Sequence, residues 1–474
     1  MKRIAIIGGG ISGLSAAFTL EEKRRAGAPI EYVLFESSPR LGGVMVTDRI
    51  DDDSCLVEAG PDSFVSEKPW AADLCRKIGL GDQLIGSNDS KRKTYILVKG
   101  KLVVMPDGLM FMVPTKILPT VFSPLFSWRT KIRMATEWFH PPHKASADES
   151  VAEMVERHYG AEMVDRLADP LLSGIYGGEA AQLSVRAALA RFAEMEAKHG
   201  SLGRAMLAAR KKMAGASKRP APPLFTSLKD GMQQMVDALL ARLDSNALQT
   251  SAPVQSVVAH EDGWTVSSER QSDRFDAVIV ATPAQAASKL LQLADANLAR
   301  ELGEIRYSSS VTINLIYGET VRRSLPPGFG FLVPRSEGRR MLAATFVHNK
   351  FPHRAPENRA IIRCFLGGAC VEQMLGSSEE EILQIVRHEL RQIVGNALNA
   401  EPLFARVYKW KSAMAQYSVG HLERLQRIEA LRQKLPGLAL AGNGYNGIGV
   451  PDCVRSGAEA ASQVLSEMGM WPSA

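Results

Sequence analysis

Cysteine is scarce in this chain. Five cysteines (Cys55, Cys75, Cys364, Cys370 and Cys453) are scattered over 474 residues, with no C-x-x-C pair and no histidine at ligand spacing. That pattern excludes a disulfide framework and a zinc site, and it predicts a reducing compartment. Long apolar runs are missing too. A membrane-spanning helix needs ~18 consecutive apolar residues, and the nearest approach, residues 109–128, is broken by Pro114, Lys116, Pro119 and Pro124. The opening Met1-Lys2-Arg3 before an apolar run looks like a secretory leader, but Gly8-Gly9-Gly10 ends the run early, so the expectation is a cytoplasmic protein. Neither sign of charge dominates, since 57 Lys and Arg face 51 Asp and Glu, giving +6 spread along the chain. This predicts no nucleic-acid partner and a mild attraction for acidic small molecules or anionic lipid.

What remains is the composition of a globular chain, 45% hydrophobic and 23% charged, long enough for two or three domains. Residues 3–7, 11–24 and 31–35 read as strand, helix, strand, a βαβ unit. Hairpins are expected at 44–49 with 55–58, around Asp51-Asp52-Asp53, and at 95–98 with 102–105, around Lys99-Gly100. Residues 68–78 look helical, and from 108 to 213 helical periodicity takes over. There, Ser146 and Glu149 stand at capping-box spacing ahead of a helix over 149–158. Residues 214–223 form a loop by composition, and 231–243 a helix. Strands follow at 254–259, 264–267, 277–281, 311–317, 331–333, 341–347 and 361–365, with helices at 379–393 and 422–433. The chain closes as strand, Gly-rich loop and helix over 438–467, in the style of its beginning.

The chemistry-bearing motif opens the chain. Gly8-x-Gly10-x-x-Gly13 lies between strand and helix, where small residues let the backbone N–H groups of Gly8, Gly9, Gly10, Ile11, Ser12 and Gly13 approach a pyrophosphate. Glu36 ends the second strand, placed with Ser37 to meet a ribose 2′-hydroxyl, and an acid there argues against a 2′-phosphate. A plain nicotinamide unit has no need of what comes next, Arg40 and the second glycine pair Gly42-Gly43.

This extension resembles the long dinucleotide motif of the FAD-dependent amine-oxidase superfamily, in which the second glycine pair lies against the phosphates. Many members continue with Arg where this chain has Val44, so any contact of that kind is absent or supplied by Arg40. Glu58-Ala59-Gly60-Pro61-Asp62-Ser63-Phe64 is similar to a stretch that bacterial porphyrinogen oxidases carry beside the flavin ring. The same branch is echoed in residues 170–178 with Leu183-Ser184, in Leu228-Lys229-Asp230-Gly231, Ala281-Thr282-Pro283-Ala284 and Gln416-Tyr417-Ser418-Val419-Gly420-His421, and in the Gly-rich stretch 441–453. On these motifs, in family order from residue 4 to about 461, the chain is identified as a member of the HemY-type oxygen-dependent protoporphyrinogen and coproporphyrinogen oxidases.

The resemblance implies an α/β fold. A discontinuous Rossmann-like FAD-binding domain (1–88, 220–290 and 432–474) would join a mixed-sheet α+β substrate domain (89–104 and 291–431) and a helical, membrane-contacting region (105–219). It implies FAD as cofactor and six-electron oxidation of a porphyrinogen in heme biosynthesis, with O2 reoxidising the flavin to release H2O2. Cofactor contacts would be Gly8–Gly13, Glu36, Ser37, Arg40, Gly42, Gly43, Gly60, Pro61, Asp62, Ser63, Ile448, Gly449 and Val450. Val254 would hold adenine through its main chain, though a buried strand valine accounts for it equally well. No catalytic side chain and no metal are expected, because the flavin accepts the hydride. The nine histidines are read as surface or structural residues. Eukaryotic protoporphyrinogen oxidases carry an Arg where this chain has Thr94, which makes Lys93 the candidate substrate anchor. Protein partners would be other heme-pathway enzymes or a second copy in a homodimer. A dense apolar set (Leu109, Met110, Phe111, Met112, Val113, Ile117, Leu118, Val121, Phe122, Leu125, Phe126, Trp128) followed by Arg129, Lys131 and Arg133 either meets lipid or lines the substrate pocket. An amine oxidase, a carotenoid desaturase and a non-redox flavin-fold binding protein are the alternatives.

Overall fold

The computed structural model describes residues 1–50, 54–110, 112–143, 147–214, 222–269 and 271–470. The Asp51-Asp52-Asp53 turn, Phe111, Ser146 and residues 215–221 of the composition-defined loop lie outside them. The centre is a parallel sheet of five strands in the spatial order Leu248–Gln249, Ile30–Phe35, Lys2–Ile7, Ala277–Val280, Leu438–Leu440. Both faces of its middle strand are buried, which is why residues 4–7 run Ile-Ala-Ile-Ile without alternation. Ile4 and Ile6 point to a layer with the helices Ile11–Arg25 and Val450–Glu467. Ala5 and Ile7 point the other way, onto Val257, Trp264, Val266 and Phe275 of the three-stranded sheet Val254–His260, Gly263–Ser268, Ser272–Phe275. Where the two helices cross, a Cβ on Gly457 would stand 2.0 Å from the Ser12 carbonyl oxygen. Only glycine permits that approach.

A second sheet of seven strands has the order Phe404–Ala415, Tyr307–Gly318, Arg359–Leu366, Met341–Phe346, Gly330–Leu332, Thr94–Val98, Lys101–Val104. Every neighbouring pair is antiparallel except Gly330–Leu332 with Thr94–Val98. The Lys99-Gly100 turn has φ of 50° and 73°, the two positive values a type I′ hairpin requires. Phe404–Ala415 corrects the sequence reading, which places no strand there. It is an edge strand whose exposed Arg406, Lys409 and Lys411 interrupt the apolar signal, as edge strands commonly do.

The segment from 108 onward is also corrected. It starts with a two-stranded ribbon, Leu109–Met110 against Val113–Pro114, before the first helix at Ile117–Phe122. The helix Val151–Tyr159 is capped by Ser150, whose hydroxyl receives the Glu153 N–H while Glu153 receives the Ser150 N–H. Ser150 wins over Ser146 because it directly precedes the buried stripe Val151, Met154, Val155, Tyr159. The helix expected over 231–243 is shorter, at Gln233–Leu240. The dense apolar set splits in two. Leu109, Met112, Val113, Leu125 and Phe126 are core, whereas Leu118, Phe122 and Trp128 are 69%, 81% and 68% exposed, and Ile132 and Phe139 join them at the surface. No described helix is long and apolar enough to cross a membrane. No disulfide forms among the cysteines, and no metal-binding cluster occurs among the described residues.

Candidate active site

The dinucleotide loop shows which glycines the chain itself requires. A Cβ on Gly8 would lie 2.7 Å from the Ala281 carbonyl oxygen, and one on Gly13 only 1.9 Å from the Gly8 carbonyl oxygen. These two close the strand-to-helix turn. A Cβ on Gly10, by contrast, would meet nothing within 4 Å. That open space lies at the N-cap of Ile11–Arg25, a helix with no acid in its first turn and no side chain capping it, so its leading N–H groups face a cradle suited to an anion. Glu36 stands just past Ile30–Phe35, where its Oε2 accepts the Gly9 N–H and its Oε1 the Ser38 N–H, both at 2.7 Å, with the Ser37 hydroxyl at 3.2 Å. A carboxylate offers about four lone-pair sites, so these bonds orient it without exhausting it. The chain beyond Glu36 pairs with residues 251–252 through Ser251 N–H to Ser38 O and Ala252 N–H to Glu36 O, which puts Val254 close to the acid. A hollow of about 410 Å³, walled by Gln249, Ser251, Pro253 and Glu269, opens at that end.

The second glycine pair folds back on the first. Gly42 N–H donates to Gly9 O at 2.8 Å, and Gly43 sits against Gly10. Arg40 is exposed and turns its guanidinium onto the Leu41 and Gly43 carbonyls. Gly60 belongs to the same assembly, since a Cβ there would stand 1.9 Å from Val44 O. The loop at 8–13, the pair at 42–43 and the turn at 60–63 are thus one packed unit.

Sequence reasoning missed what holds that turn. Three side chains from adjacent strands of the seven-stranded sheet donate to three consecutive carbonyls: Asn314 to Glu58 O at 3.0 Å, Trp410 to Ala59 O at 2.9 Å, and Arg363 to Gly60 O. Lys350 Nζ reaches both Asp62 carboxylate oxygens at 3.0 and 3.1 Å and the Ser63 hydroxyl at 3.1 Å, with Arg363 3.8 Å from Asp62. Burial alone would raise the Asp62 pKa, but Lys350 and Arg363 outweigh it and hold the carboxyl below its ordinary range. Glu58 has Arg354 at 3.0 Å, close enough for attraction but misaligned for a hydrogen bond, plus the Thr47 hydroxyl at 2.7 Å and Met232 N–H at 2.9 Å. There burial prevails, and the Glu58 pKa is raised despite Arg354. The available signal was a lone polar residue inside an apolar stretch, Asn314 within 313–316 and Arg363 within 361–365.

The far end of the chain arrives at the same place. Asp452, buried in the first turn of Val450–Glu467, accepts the Gly449 N–H and pairs with Lys68 at 2.6 Å, just beyond the 60–63 turn. Residues 443–447 are pinned by the Tyr417 hydroxyl, which donates to Asn443 O at 2.9 Å and accepts the Gly447 N–H at 2.7 Å. His421 stacks on Tyr417 at 4.2 Å and meets Tyr445 O, a structural role. Gln416 Nε2 binds Tyr176 O at 2.5 Å and the Ser308 hydroxyl at 2.9 Å, holding the helix Asp169–Tyr176 over the sheet. Arg335 anchors the start of that helix through Asp169 at 2.9 Å and Glu179 at 2.6 Å. Lys93 is not brought into this group. It is exposed, and its carbonyl receives Phe329 N–H at the sheet margin.

Residues 11–465 match the family model of flavin-containing amine oxidoreductases. The chain belongs to that family. Members carry a flavin, and the open cradle at Gly10, the oriented Glu36 and the uncapped N-terminus of Ile11–Arg25 fit one. Across 98% of both chains it is 33% identical to the coproporphyrinogen III oxidase of Bacillus subtilis (strain 168). It is 27% identical to protoporphyrinogen oxidase 2 of Arabidopsis thaliana, over 98% of this chain and 94% of that one. A crystal structure from Exiguobacterium sp. 255-15, provisionally named a protoporphyrinogen oxidase, superimposes with TM-score 0.87 at 30% identity over 99% of each chain. This family member is a flavin-dependent oxidoreductase.

Proposed function

We propose that the protein binds FAD and oxidises a porphyrinogen to the porphyrin with O2, in heme biosynthesis, and that the preferred substrate is coproporphyrinogen III. The observation carrying this reading is the convergence of the 60–63 turn and the 448–450 loop, tied by Lys68 and Asp452 and roofed by the Asp169–Tyr176 helix. Identity of 33% with a coproporphyrinogen III oxidase supports the substrate, as does Thr94 in place of an arginine.

In this reading the pyrophosphate rests on the N–H groups of residues 8–13 with Gly42 and Gly43 behind it, Glu36 takes the ribose, and Val254 borders the adenine. Bound FAD supplies the hydride acceptor. The chain's own residues orient and enclose. Residues 60–63 and 448–450 would bracket the ring, and the side where the Asp169–Tyr176 helix meets the seven-stranded sheet, with half-exposed Ile175 on that helix, is where we place the flat macrocycle. No general acid or base is assigned. Of the buried histidines, His348 is held to a pKa of about 4 by burial and bonds Ile361, and His421 bonds Tyr445. Leu118, Phe122, Trp128, Ile132 and Phe139, with Lys116, Arg129 and Lys131 around them, are the surface we assign to an anionic bilayer. Aerobic incubation of the purified protein with each porphyrinogen tests the activity. Porphyrin fluorescence with peroxide is expected, and faster with coproporphyrinogen III.

A further inference from the structure

Beneath the 60–63 turn lies a charge cluster whose composition exceeds what holding a turn requires. Its acids are Glu58 and Asp62, and its bases are Lys350, Arg354 and Arg363, so with every group ionised two negative charges meet three positive and the cluster is net +1. All five residues are buried or nearly so: Lys350 is 8% exposed, Arg354 1% and Arg363 4%. The pairs differ in kind. Glu58 and Arg354 neutralise each other on the side facing Ser227 and Leu228, where Arg354 also bonds the Ser227 hydroxyl at 2.8 Å and Leu228 O at 3.1 Å. Asp62 instead faces two cations, Lys350 at hydrogen-bond distance and Arg363 at 3.8 Å, the latter also attracting Glu58. The surplus charge therefore sits on the Asp62 side, directly under the turn.

A single hydrogen bond to Gly60 O and one partner for Asp62 would be enough to fix the backbone. Arg363 supplies the first and Lys350 the second, with a further bond to the Ser63 hydroxyl, but neutral donors could make the same bonds without the desolvation cost of two buried cations. Lys350 moreover holds its ammonium over two aromatic rings, 4.5 Å from the Phe225 centroid and 5.2 Å from that of Phe351, a setting that keeps the group charged although it is buried. A charge kept there calls for an electrostatic account.

We propose that Lys350 and Arg363, held by Asp62, are positioning residues that set the reduction potential of the flavin by presenting a net positive charge to it through the 60–63 turn. The inference rests on the reading that this turn lies against the ring. Hydride uptake brings two electrons and one proton, so the reduced ring carries one more negative charge than the oxidised ring. A nearby positive charge shielded from water favours the reduced side of that balance.

The test uses opposite signs. Purified holoprotein is equilibrated with reference dyes, and the flavin midpoint potential is read from the visible spectrum. Lys350→Met removes a positive charge with little change of shape, and should disfavour reduction about tenfold or more, a fall of about 30 mV for a two-electron couple. Asp62→Asn removes a negative charge, and should raise the potential. Lys350→Arg keeps the charge and should leave the potential within about 10 mV of the starting protein. Arg363→Lys keeps the charge but loses the Gly60 O bond, and should weaken flavin retention more than it moves the potential. A merely structural role would push Lys350→Met and Asp62→Asn in the same direction or move neither, and either result overturns the proposal. Should Asp62→Asn fail to fold, the Lys350→Met and Lys350→Arg pair decides alone, equal potentials refuting the idea. Starting protein that shows no flavin spectrum after reconstitution would instead sink the reading of the turn, and the proposal with it.

Discussion

Arg354→Met should be one of the costliest single changes in the chain, and its cost should depend on pH. Arg354 and Glu58 are 1% and 5% exposed. Removing the guanidinium leaves a buried carboxylate with the Thr47 hydroxyl and Met232 N–H as its hydrogen-bond partners and only the weaker attraction of Arg363 as counter-charge. Deleting one partner of a buried ion pair costs about 3–5 kcal/mol. Arg354→Met combined with Glu58→Gln removes the stranded charge while keeping a group for Thr47 and Met232, so it should recover most of that loss. The pH dependence follows from the raised pKa of Glu58, which burial causes and Arg354 partly offsets. Without Arg354 it rises further. A carboxyl with a raised folded value contributes stability that is complete below its unfolded value, about 4.3, and is lost as pH climbs through the folded one. The deficit of the single variant should therefore grow between pH 5 and pH 8, by up to about 1.4 kcal/mol per unit, while that of the double variant stays flat. Urea unfolding at several pH values checks this, with circular dichroism and flavin absorbance followed together, since a chain with two large sheets can unfold in more than one step. A deficit under about 1 kcal/mol, or one independent of pH, would refute the reasoning.

Gly10→Val should fold normally, because a Cβ there meets no protein atom within 4 Å, yet lose flavin. Gly13→Ala should lose both flavin and thermal stability, because its Cβ falls 1.9 Å from Gly8 O; absorbance at flavin wavelengths and melting curves separate the two. His158 is buried between Glu137 at 3.1 Å and Glu196 at 2.9 Å. Burial works against its protonation, but the two carboxylates prevail and raise its pKa. Its stabilising effect is thus present below the ordinary histidine value and lost as pH rises through the higher folded one, and a melting series should show that slope flattened in His158→Gln. Phe122→Ser with Trp128→Ser should abolish flotation with anionic liposomes at low salt and leave turnover of soluble substrate within about twofold; unchanged flotation would rule out this surface as the lipid contact.

How much of this was legible in the sequence depends on distance along the chain. The βαβ unit, the Gly8-Gly10-Gly13 turn and the acid at Glu36 are local, and turn chemistry with apolar periodicity announces them. The Lys99-Gly100 hairpin was readable for the same reason. Ser146 misled because two Ser-x-x-Glu spacings, 146–149 and 150–153, follow one another directly, and only the stripe from Val151 to Tyr159 tells which one borders a helix. Asn314 and Arg363 showed only as polar residues inside apolar strands, and Lys350, Arg354 and Trp410 read locally as strand or short-helix filler, since all five reach the turn from some 250 to 350 positions away. Phe404–Ala415 went unread because an edge strand bearing Arg406, Lys409 and Lys411 lacks apolar alternation. The apolar set at 109–128 could not be divided from sequence, because the same residue types serve the core at Leu125 and the surface at Phe122.

The central claim is tested most directly by one measurement. Purified protein reconstituted with FAD is given coproporphyrinogen III and, separately, protoporphyrinogen IX in air, and porphyrin fluorescence is followed alongside peroxide release. The account predicts a flavin-dependent rise in fluorescence with both, faster with coproporphyrinogen III, and three peroxides for each porphyrin formed, one per two-electron step. Protein that retains its flavin, melts cooperatively and oxidises neither porphyrinogen above the flavin-free control would contradict it.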